Sequence, residues 1–391
     1  MGKDGFEILI NCLKLLLIFL VMVQLVPVLV WLERRVSAFM QNRFGPNRVG
    51  PLGLIQLLAD AVKFLFKEPF FPAKGVAVMY YGAPIMALIP GALALAAIPL
   101  SLPFHLEPFT MPILGGQYGP YDFLMQGYDF GVGIVIVLGV SSLGAYSLLM
   151  AGWGSSNKYS LLGALRASAQ MVSYELALGL LLVGILMIFN TFSFYEIINQ
   201  QIGKPLAFNF LGHPTVISWL PNWGIFYNPL GALIFFCASF AETNRLPFDL
   251  PEAEGELVAG FHTEYGGFAL LMFYIGEYGH MMVASALLAT FYFGGYSLPF
   301  YNITPEVVMN HFVNGSMTGH PNLASFVTSL VFFLVLLVKI LLFLCVFIWV
   351  RWTLPRFRYD QLMDLGWKTM LPWALFNTFV TAVWLVISHQ P

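Results

Sequence analysis

Apolar runs long enough to cross a bilayer recur along this chain, and no other feature restricts its fold so severely. A transmembrane helix needs about 20 apolar residues to cross roughly 30 Å of hydrocarbon, with every backbone polar group satisfied inside the segment. Hydropathy gives eight such runs, at about 8–31, 77–100, 129–152, 171–190, 228–241, 265–293, 324–350 and 371–388, that at 228–241 being short. The residues are 59% hydrophobic and only 10% charged, with mean hydropathy +0.78. Soluble domains carry about 25% charged residues. The expectation is an all-α polytopic membrane protein: a single membrane domain over 1–391 with about eight transmembrane helices. No soluble domain and no internal repeat is read, which counts against a transporter built from inverted halves. Glu33-Arg34-Arg35 follows the first run where a signal peptidase would need small residues, so no cleavable leader is expected.

The cations fix an orientation. Eight spans put both termini on one side. The loops at about 32–76, 153–170, 242–264 and 351–370 hold fourteen of the eighteen Lys and Arg residues. The positive-inside rule makes those loops cytoplasmic, or matrix or stromal in an organelle. Within the first loop, Gly45-Pro46 and Gly50-Pro51 break the chain twice, and Leu52 to Lys67 then reads as a helix. Gln56, Asp60, Lys63 and Lys67 share one face and Ile55, Val62, leucines and phenylalanines the other. Such a helix lies in the membrane interface, or packs on neighbouring protein. The net charge of −2 says nothing about nucleic acid, and no basic tract suggests it as a partner. Cys12, Cys237 and Cys345 stand far apart in apolar runs and offer neither a disulfide framework nor iron–sulfur spacing.

Against this background the stretch Phe240–Glu264 is anomalous. It holds Glu242, Asp249, Glu252, Glu254, Glu256 and Glu264 against the single cation Arg245. Like charges repel and favour one another's neutral forms, so a plain connector would not concentrate them. A solvated acidic turn is the bland reading; a polar passage into the membrane is the sharper one. Glu175 in the fourth run, Glu277 in the sixth and Lys339 in the seventh are ionisable groups inside the bilayer, which mark function or a paired structural group. No Lys or Arg lies within a helical turn of Glu277 along its own run, and His280 follows one turn on. A carboxyl so isolated is expected to exchange protons. The last loop interleaves Arg351, Arg356 and Arg358 with aromatic residues, and places Asp360 and Asp364 one helical turn apart.

Five irregular motifs now stand in order: Glu33-Arg34-Arg35…Arg43-Phe-Gly-Pro-Asn-Arg48-Val-Gly-Pro; Ala59-Asp60-Ala61…Lys63; Ala164-Leu-Arg166…Ala169-Gln170…Ser173-Tyr174-Glu175; Ala241-Glu242-Thr243…Arg245-Leu-Pro-Phe-Asp-Leu-Pro-Glu-Ala-Glu-Gly-Glu-Leu-Val-Ala-Gly; and Pro355-Arg-Phe-Arg-Tyr-Asp-Gln-Leu-Met. Together they resemble one family, the quinone-site membrane subunit (the H-type subunit, or subunit 1 in mitochondria) of proton-pumping NADH:quinone oxidoreductase, respiratory complex I. The resemblance runs over about residues 8–388, and none of its motifs falls in the extracytoplasmic stretch 191–228. It implies that Glu33, Arg34, Arg43, Asp60, Ala61, Arg351 and Arg356 line a quinone chamber and its mouth. It implies that Glu175, Glu242, Glu252, Glu254, Glu256 and Glu277 form an acidic funnel coupling quinone chemistry to protonation in the membrane. The partners it implies are the other membrane-arm and peripheral-arm subunits, quinone and lipid, in a bacterial inner membrane or its organellar equivalent.

The bottom-up reading agrees in kind: carboxylates in low dielectric exchange protons, and arginines beside an apolar slot suit a polar headgroup on a long tail. The chain has no dinucleotide fingerprint, no metal-ligand cluster and no redox centre of its own. NADH, FMN and iron–sulfur clusters are therefore expected on partner subunits. Two rivals stay open: the equivalent subunit of a ferredoxin-fed photosynthetic quinone reductase or of a membrane-bound hydrogenase, and, more distantly, a free-standing proton or cation transporter. The loop Arg43–Pro51 and the amphipathic helix favour a quinone user. The charge split makes a topological prediction: single cysteines placed within 32–76 and 351–370 will be labelled only from the cytoplasmic side of sealed vesicles. Labelling of either from the opposite side contradicts the orientation.

Overall fold

The computed structural model describes residues 3–106, 109–111, 116–118, 121–210, 213–251, 258–300, 303–314 and 321–388. The chain is an all-α membrane protein. Helix α1 (Lys3–Met40) has 38 residues, roughly 57 Å at 1.5 Å per residue, and so overruns a bilayer. Then follow α2 (Gln56–Phe66), α3 (Ala77–Ala97), α4 (Gly133–Ser141), α5 (Leu143–Gly154) and α6 (Lys158–Phe189). The second half holds α7 (Phe194–Gln201), α8 (Gly224–Tyr227), α9 (Pro229–Glu242), α10 (Gly267–Tyr292), α11 (Pro305–Asn314), α12 (Pro321–Thr353), α13 (Tyr359–Asp364) and α14 (Leu371–Ser388). A π-helical turn, Leu365–Met370, joins the last two into one continuous element. The described strands form three small antiparallel pairs, two between α3 and α4 and one between α7 and α8.

Among the described residues, six helices are long and apolar enough to cross a membrane: Ile8–Met40, Ala77–Ala97, Gly133–Gly154 (α4 with α5), Lys158–Phe189, Asn322–Thr353 and Tyr359–Ser388. The two other expected runs also form helices. α9 is short, with 14 residues, and its first turn is held by the side-chain carbonyl of Asn228, which accepts from Gly231 N at 2.8 Å. α10 has 26 residues and is buried without interruption from Met281 to Tyr292. It is the axis of the bundle. Small residues bring α3 against it: a Cβ on Gly276 would stand 2.7 Å from the Ala87 carbonyl, so this helix pair tolerates no side chain there.

Two segments expected as loops are helical. α6 begins at Lys158 rather than near 171, and the last helical element begins at Tyr359 rather than near 371. The reason is packing that hydropathy does not register. A Cβ on Gly163 would lie 2.8 Å from Gly260, so the polar start of α6 is a tight helix–backbone contact. Trp367 Nε1 donates to Ser173 Oγ (3.1 Å), Tyr174 OH to the Leu362 carbonyl (2.8 Å) and Thr378 Oγ1 to the Leu180 carbonyl (2.9 Å), which zips the C-terminal element along α6.

The element ends that carry the quoted motifs meet on one face. Val76 N donates to the Gly154 carbonyl, Asn157 Nδ2 to Glu264 (2.6 Å) and Tyr80 OH to the Glu264 carbonyl (2.8 Å). The loop before α2 folds back on itself through Gly53, whose φ of +72° and missing Cβ (2.2 Å from the Pro46 carbonyl if present) admit only glycine. α2 then lies with Gln56, Asp60 and Ala61 turned inward and half-buried, while Leu58, Val62, Leu65 and Phe66 are exposed. Leu57 and Phe64 are half-buried on that same inward side and Lys63 is exposed, so the outward side is mainly apolar and the inward side mixed, with the carboxylate of α2 turned to the chain.

Lys339, in the middle of α12, is a structural fastener. Its Nζ donates to the carbonyls of Phe293 (2.7 Å), Gly295 (2.8 Å) and Ser297 (2.5 Å) and stands 4.6 Å from the centre of the Trp223 ring. These carbonyls belong to the turn that follows α10, where no helical or strand ladder supplies donors and buried backbone acceptors need a partner. Hydrogen bonds to a charged donor contribute roughly 1.5–3 kcal/mol each, not additively. Lys339→Met will therefore lower the thermal stability of the purified protein markedly, and Lys339→Arg will recover most of it. Unchanged melting of the Met variant contradicts the capping role.

Candidate functional site

The site begins at an open cavity of about 510 Å³ on the motif-bearing face, lined by Arg34, Arg43, Asn47, Arg48, Gln56 and Trp352 among others. Arg34 comes from the end of α1, Gln56 from the start of α2, Trp352 from the end of α12, and Arg43, Asn47 and Arg48 from the loop between α1 and α2. Arg34 Nη1 pairs with Asp60 Oδ2 at 2.7 Å, and Gln56 Nε2 donates to Asp60 Oδ1 at 3.2 Å. This ties α2 to α1 and holds one guanidinium at the cavity wall. Lys63 reaches the same carboxylate at 3.9 Å. Arg43 Nε donates to Gln41 at 2.6 Å, which leaves its charge uncompensated by that contact.

From there a file of polar side chains enters the bundle. Glu33 is buried one residue before Arg34; it accepts from Arg351 Nη1 of α12 at 2.5 Å and from Tyr278 OH of α10 at 2.5 Å. The Arg245 guanidinium lies 4.2 Å from the centre of the Tyr278 ring, and its Nη2 is 3.9 Å from Glu277 Oε2. His262 Nε2 approaches Glu277 Oε1 at 3.5 Å. The expectation of a Glu277 without a near cation is therefore corrected. Its own helix supplies none, but the segment between α9 and α10 folds over it and brings Arg245 and His262. A turn-wise search along one helix cannot see a cation delivered by another segment.

Beyond Glu277 the file continues to Glu242 at the end of α9. Glu277, His280 and Glu242 line one small cavity, and Glu242, His280 and Ser141 line another. The Ser141 hydroxyl is within hydrogen-bonding reach of Glu242, and Glu175 is near enough to act on it electrostatically. The resulting order is Arg351, Glu33, Tyr278, Arg245 and Glu277 by contact, then Glu242 across the shared cavity, with Glu175 acting on Glu242 through its charge.

Gln170, fully buried on α6, sets the start of the acidic segment. Its amide nitrogen donates to the carbonyls of Ala241 (2.7 Å) and Phe248 (2.8 Å) and lies 3.3 Å from Asn244 Oδ1. One side chain thus closes the turn that carries Arg245 and Asp249. Asp249 is buried and pairs with Arg356 Nη2 at 3.0 Å, while Phe357 N donates to the Pro247 carbonyl at 3.0 Å. The last loop and the acidic segment are in this way one unit.

Of the residues singled out in the sequence, the structure places Arg34 and Arg43 on the cavity wall, with Asp60 behind it as the partner of Arg34 and Ala61 next to Asp60 in the chain. It pairs Glu33 with Arg351 and Arg356 with Asp249, and it brings Glu277 and Glu242 to a common cavity with Glu175 close by. Glu252, Glu254 and Glu256 lie outside the described residues. Sequence reasoning does not find Tyr278, His262, Gln170 and Ser141 as site residues. Arg245 carries a readable signal, being the only cation among six acids; the others are ordinary residues whose role appears only in their contacts.

An apolar helical bundle with a buried file of acids, arginines and histidine opening on one face defines a class of multi-pass membrane protein that keeps ionisable groups inside the bilayer. The NADH dehydrogenase family profile matches residues 13–382, and the chain belongs to that family. The H-type subunit of NADH-quinone oxidoreductase from Bdellovibrio bacteriovorus is 63% identical over 388 residues, 99% of each chain. The like-named protein from Koribacter versatilis is 40% identical over 391 residues, 99% of this chain and 100% of the relative. Subunit 8 of the Rhodothermus marinus NADH-quinone oxidoreductase is 41% identical over 358 residues, 91% of each chain. Family membership over nearly the whole length removes the free-standing transporter reading.

The Glu33–Arg351 contact yields a stability prediction. Contacting charged residues couple by roughly 0.5–3 kcal/mol. A double-mutant cycle with Glu33→Gln and Arg351→Gln, read by thermal unfolding of the purified protein, will give a coupling within that range. Simple additivity of the two substitutions contradicts the pair.

Proposed function

We propose that this chain, as the H-type membrane subunit of a proton-translocating NADH:quinone oxidoreductase, forms the quinone-access chamber beside the peripheral arm and couples quinone reduction to proton movement. The observation that carries the reading is the unbroken contact file that runs from beside the arginine-lined cavity through Glu33, Tyr278 and Arg245 to Glu277. The cavity volume falls in the ordinary range for small-molecule sites, about 300–1,000 Å³. Arg34, Arg43 and Arg48 suit the polar headgroup of a quinone, and the exposed apolar side of α2 suits lipid beside its isoprenoid tail. The redox chemistry belongs to NADH, FMN and iron–sulfur clusters on partner subunits. The host membrane is a bacterial inner membrane.

The coupling follows from charge. Reduction of a headgroup in the chamber draws protons and changes the local field. Glu33 stands at the boundary, holding Arg351 with one oxygen and the Tyr278 hydroxyl with the other. Protonation of Glu33 weakens both contacts. Tyr278 in turn is the face on which Arg245 rests. A unit charge pair at the Arg245–Glu277 separation contributes on the order of 4 kcal/mol at an effective dielectric of about 20. A small displacement of Arg245 therefore changes the proton affinity of Glu277, and so passes an event in the chamber to an acid inside the bilayer. Glu242, Glu175 and the acids Glu252, Glu254 and Glu256 complete the proton-exchanging set, with Ala61 narrowing the chamber mouth beside Asp60.

Glu277→Gln keeps the shape of the side chain and removes its titration. In the assembled complex it will lower quinone-coupled turnover and proton translocation at least tenfold, about 1.4 kcal/mol or more in the barrier. NADH oxidation by a hydrophilic artificial acceptor will stay near the wild-type rate. Glu277→Asp will restore part of the loss. Normal proton translocation by an assembled Gln variant overturns the proton-exchanging role.

A further inference from the structure

We infer that His280 carries the proton between Glu277 and Glu242, so that two separate buried cavities act as one path. The inference rests on the proton-coupling reading above and names a carrier which that reading does not contain. The two acids belong to different helices, α10 and α9, and His280 is the other titratable side chain lining both cavities that Glu242 lines. It follows Glu277 by three residues, about one turn and roughly 4.5 Å along α10. The first cavity, about 30 Å³, holds Glu277, His280 and Glu242 on its wall; the second, about 20 Å³, holds His280, Glu242 and Ser141. A polar cavity needs about 10–15 Å³ of such volume to accept one water. Each therefore has room for a single bridging water or two, and neither can accommodate a continuous water wire.

The imidazole is placed for this work. Across from it on α5 stands Gly144, where a Cβ would lie at ordinary contact distance from the ring, 3.5 Å from His280 Nε2. Among the described residues no protein hydrogen bond engages either ring nitrogen, so both are available to cavity water. The other facing groups are few. Glu277 shares the helix, with Arg245 and His262 on its far side; Glu242 comes from α9, with Glu175 of α6 behind it; Ser141 comes from α4. α3 presents Ala87, and α5 presents Gly144, Ser147 and Leu148, none of which titrates.

The step balances without any electron transfer. The Glu277 carboxyl gives a proton through one water to a ring nitrogen, forming the imidazolium. The other nitrogen releases its own proton through the second water to the Glu242 carboxylate. The ring returns to its starting tautomer through water in the same cavities. Imidazole is suited to this because it accepts on one nitrogen while donating from the other.

The test uses the assembled complex in sealed vesicles, with NADH as donor. His280→Gln will lower quinone-coupled turnover and proton uptake at least tenfold. The KM for quinone will stay within twofold, and oxidation of NADH by a hydrophilic artificial acceptor will not change. His280→Ser, which leaves space for added water, will recover part of the loss. His280→Glu, which still titrates, will recover part with a displaced pH–rate profile. A purely structural residue would not move that profile. Wild-type pumping by an assembled Gln variant, or loss of assembly by both the Gln and Ser variants, overturns the inference. Glu277→Gln in the same preparation separates the two levels: if it blocks pumping while His280→Gln does not, the acidic path stands and His280 is not its carrier.

Discussion

The rest of the structure depends on compensating charge where water is excluded. Glu33 and Arg245 are buried, and Glu277 lies beside them in the heart of the bundle. An isolated ion there would be prohibitive, whereas a paired and hydrogen-bonded set is tolerable. Each member of the file meets the need of the next: Arg351 and Tyr278 satisfy Glu33, the Tyr278 ring receives Arg245, and Arg245 with His262 faces Glu277. Removing one member leaves a buried partner without its counterpart, which ties the geometry of α1, α9, α10 and α12 together.

This arrangement explains why so much of the chain on one face is not simple connection. The turn after α9 is closed by Gln170, joined to the last loop by Asp249–Arg356, and set against α6 through Gly163 and Gly260. Such a segment delivers a guanidinium to a chosen place inside a membrane, which a helix interior does at a high cost in desolvation. The short α9 serves the same end. It brings Glu242 to the depth of His280 and lets the following segment enter the bundle as backbone satisfied by protein contacts.

The opposite face is governed by a different rule. There the turn after α10 leaves carbonyls that Lys339 satisfies from the middle of α12. A lysine in an apolar run is ambiguous on sequence alone: proton carrier, ion ligand and cap all need the same ammonium. Three backbone acceptors at hydrogen-bonding distance decide in favour of the cap. Glu277 presents the contrast, because its neighbours are ionisable side chains rather than fixed carbonyls.

The sequence by itself determined the class, the run of helices and the face on which the polar motifs gather. Apolar length and the distribution of Lys and Arg are properties of single segments, and the bilayer acts on segments one at a time. The sequence also marked Arg34 and Arg43 of the cavity and the acids of the file, because an ionisable group in an apolar run, or six acids around one arginine, is already costly before any folding. Only the tertiary structure decided how those groups are compensated. Arg245 reaches Glu277 from another segment, Tyr278 bridges Glu33 to Arg245, Gln170 closes the turn that makes this reach feasible, and the polar start of α6 is helical because Gly163 packs on Gly260. Each of these is a contact between residues far apart along the chain, and its energy comes from the partner's position, which no periodicity within one segment encodes.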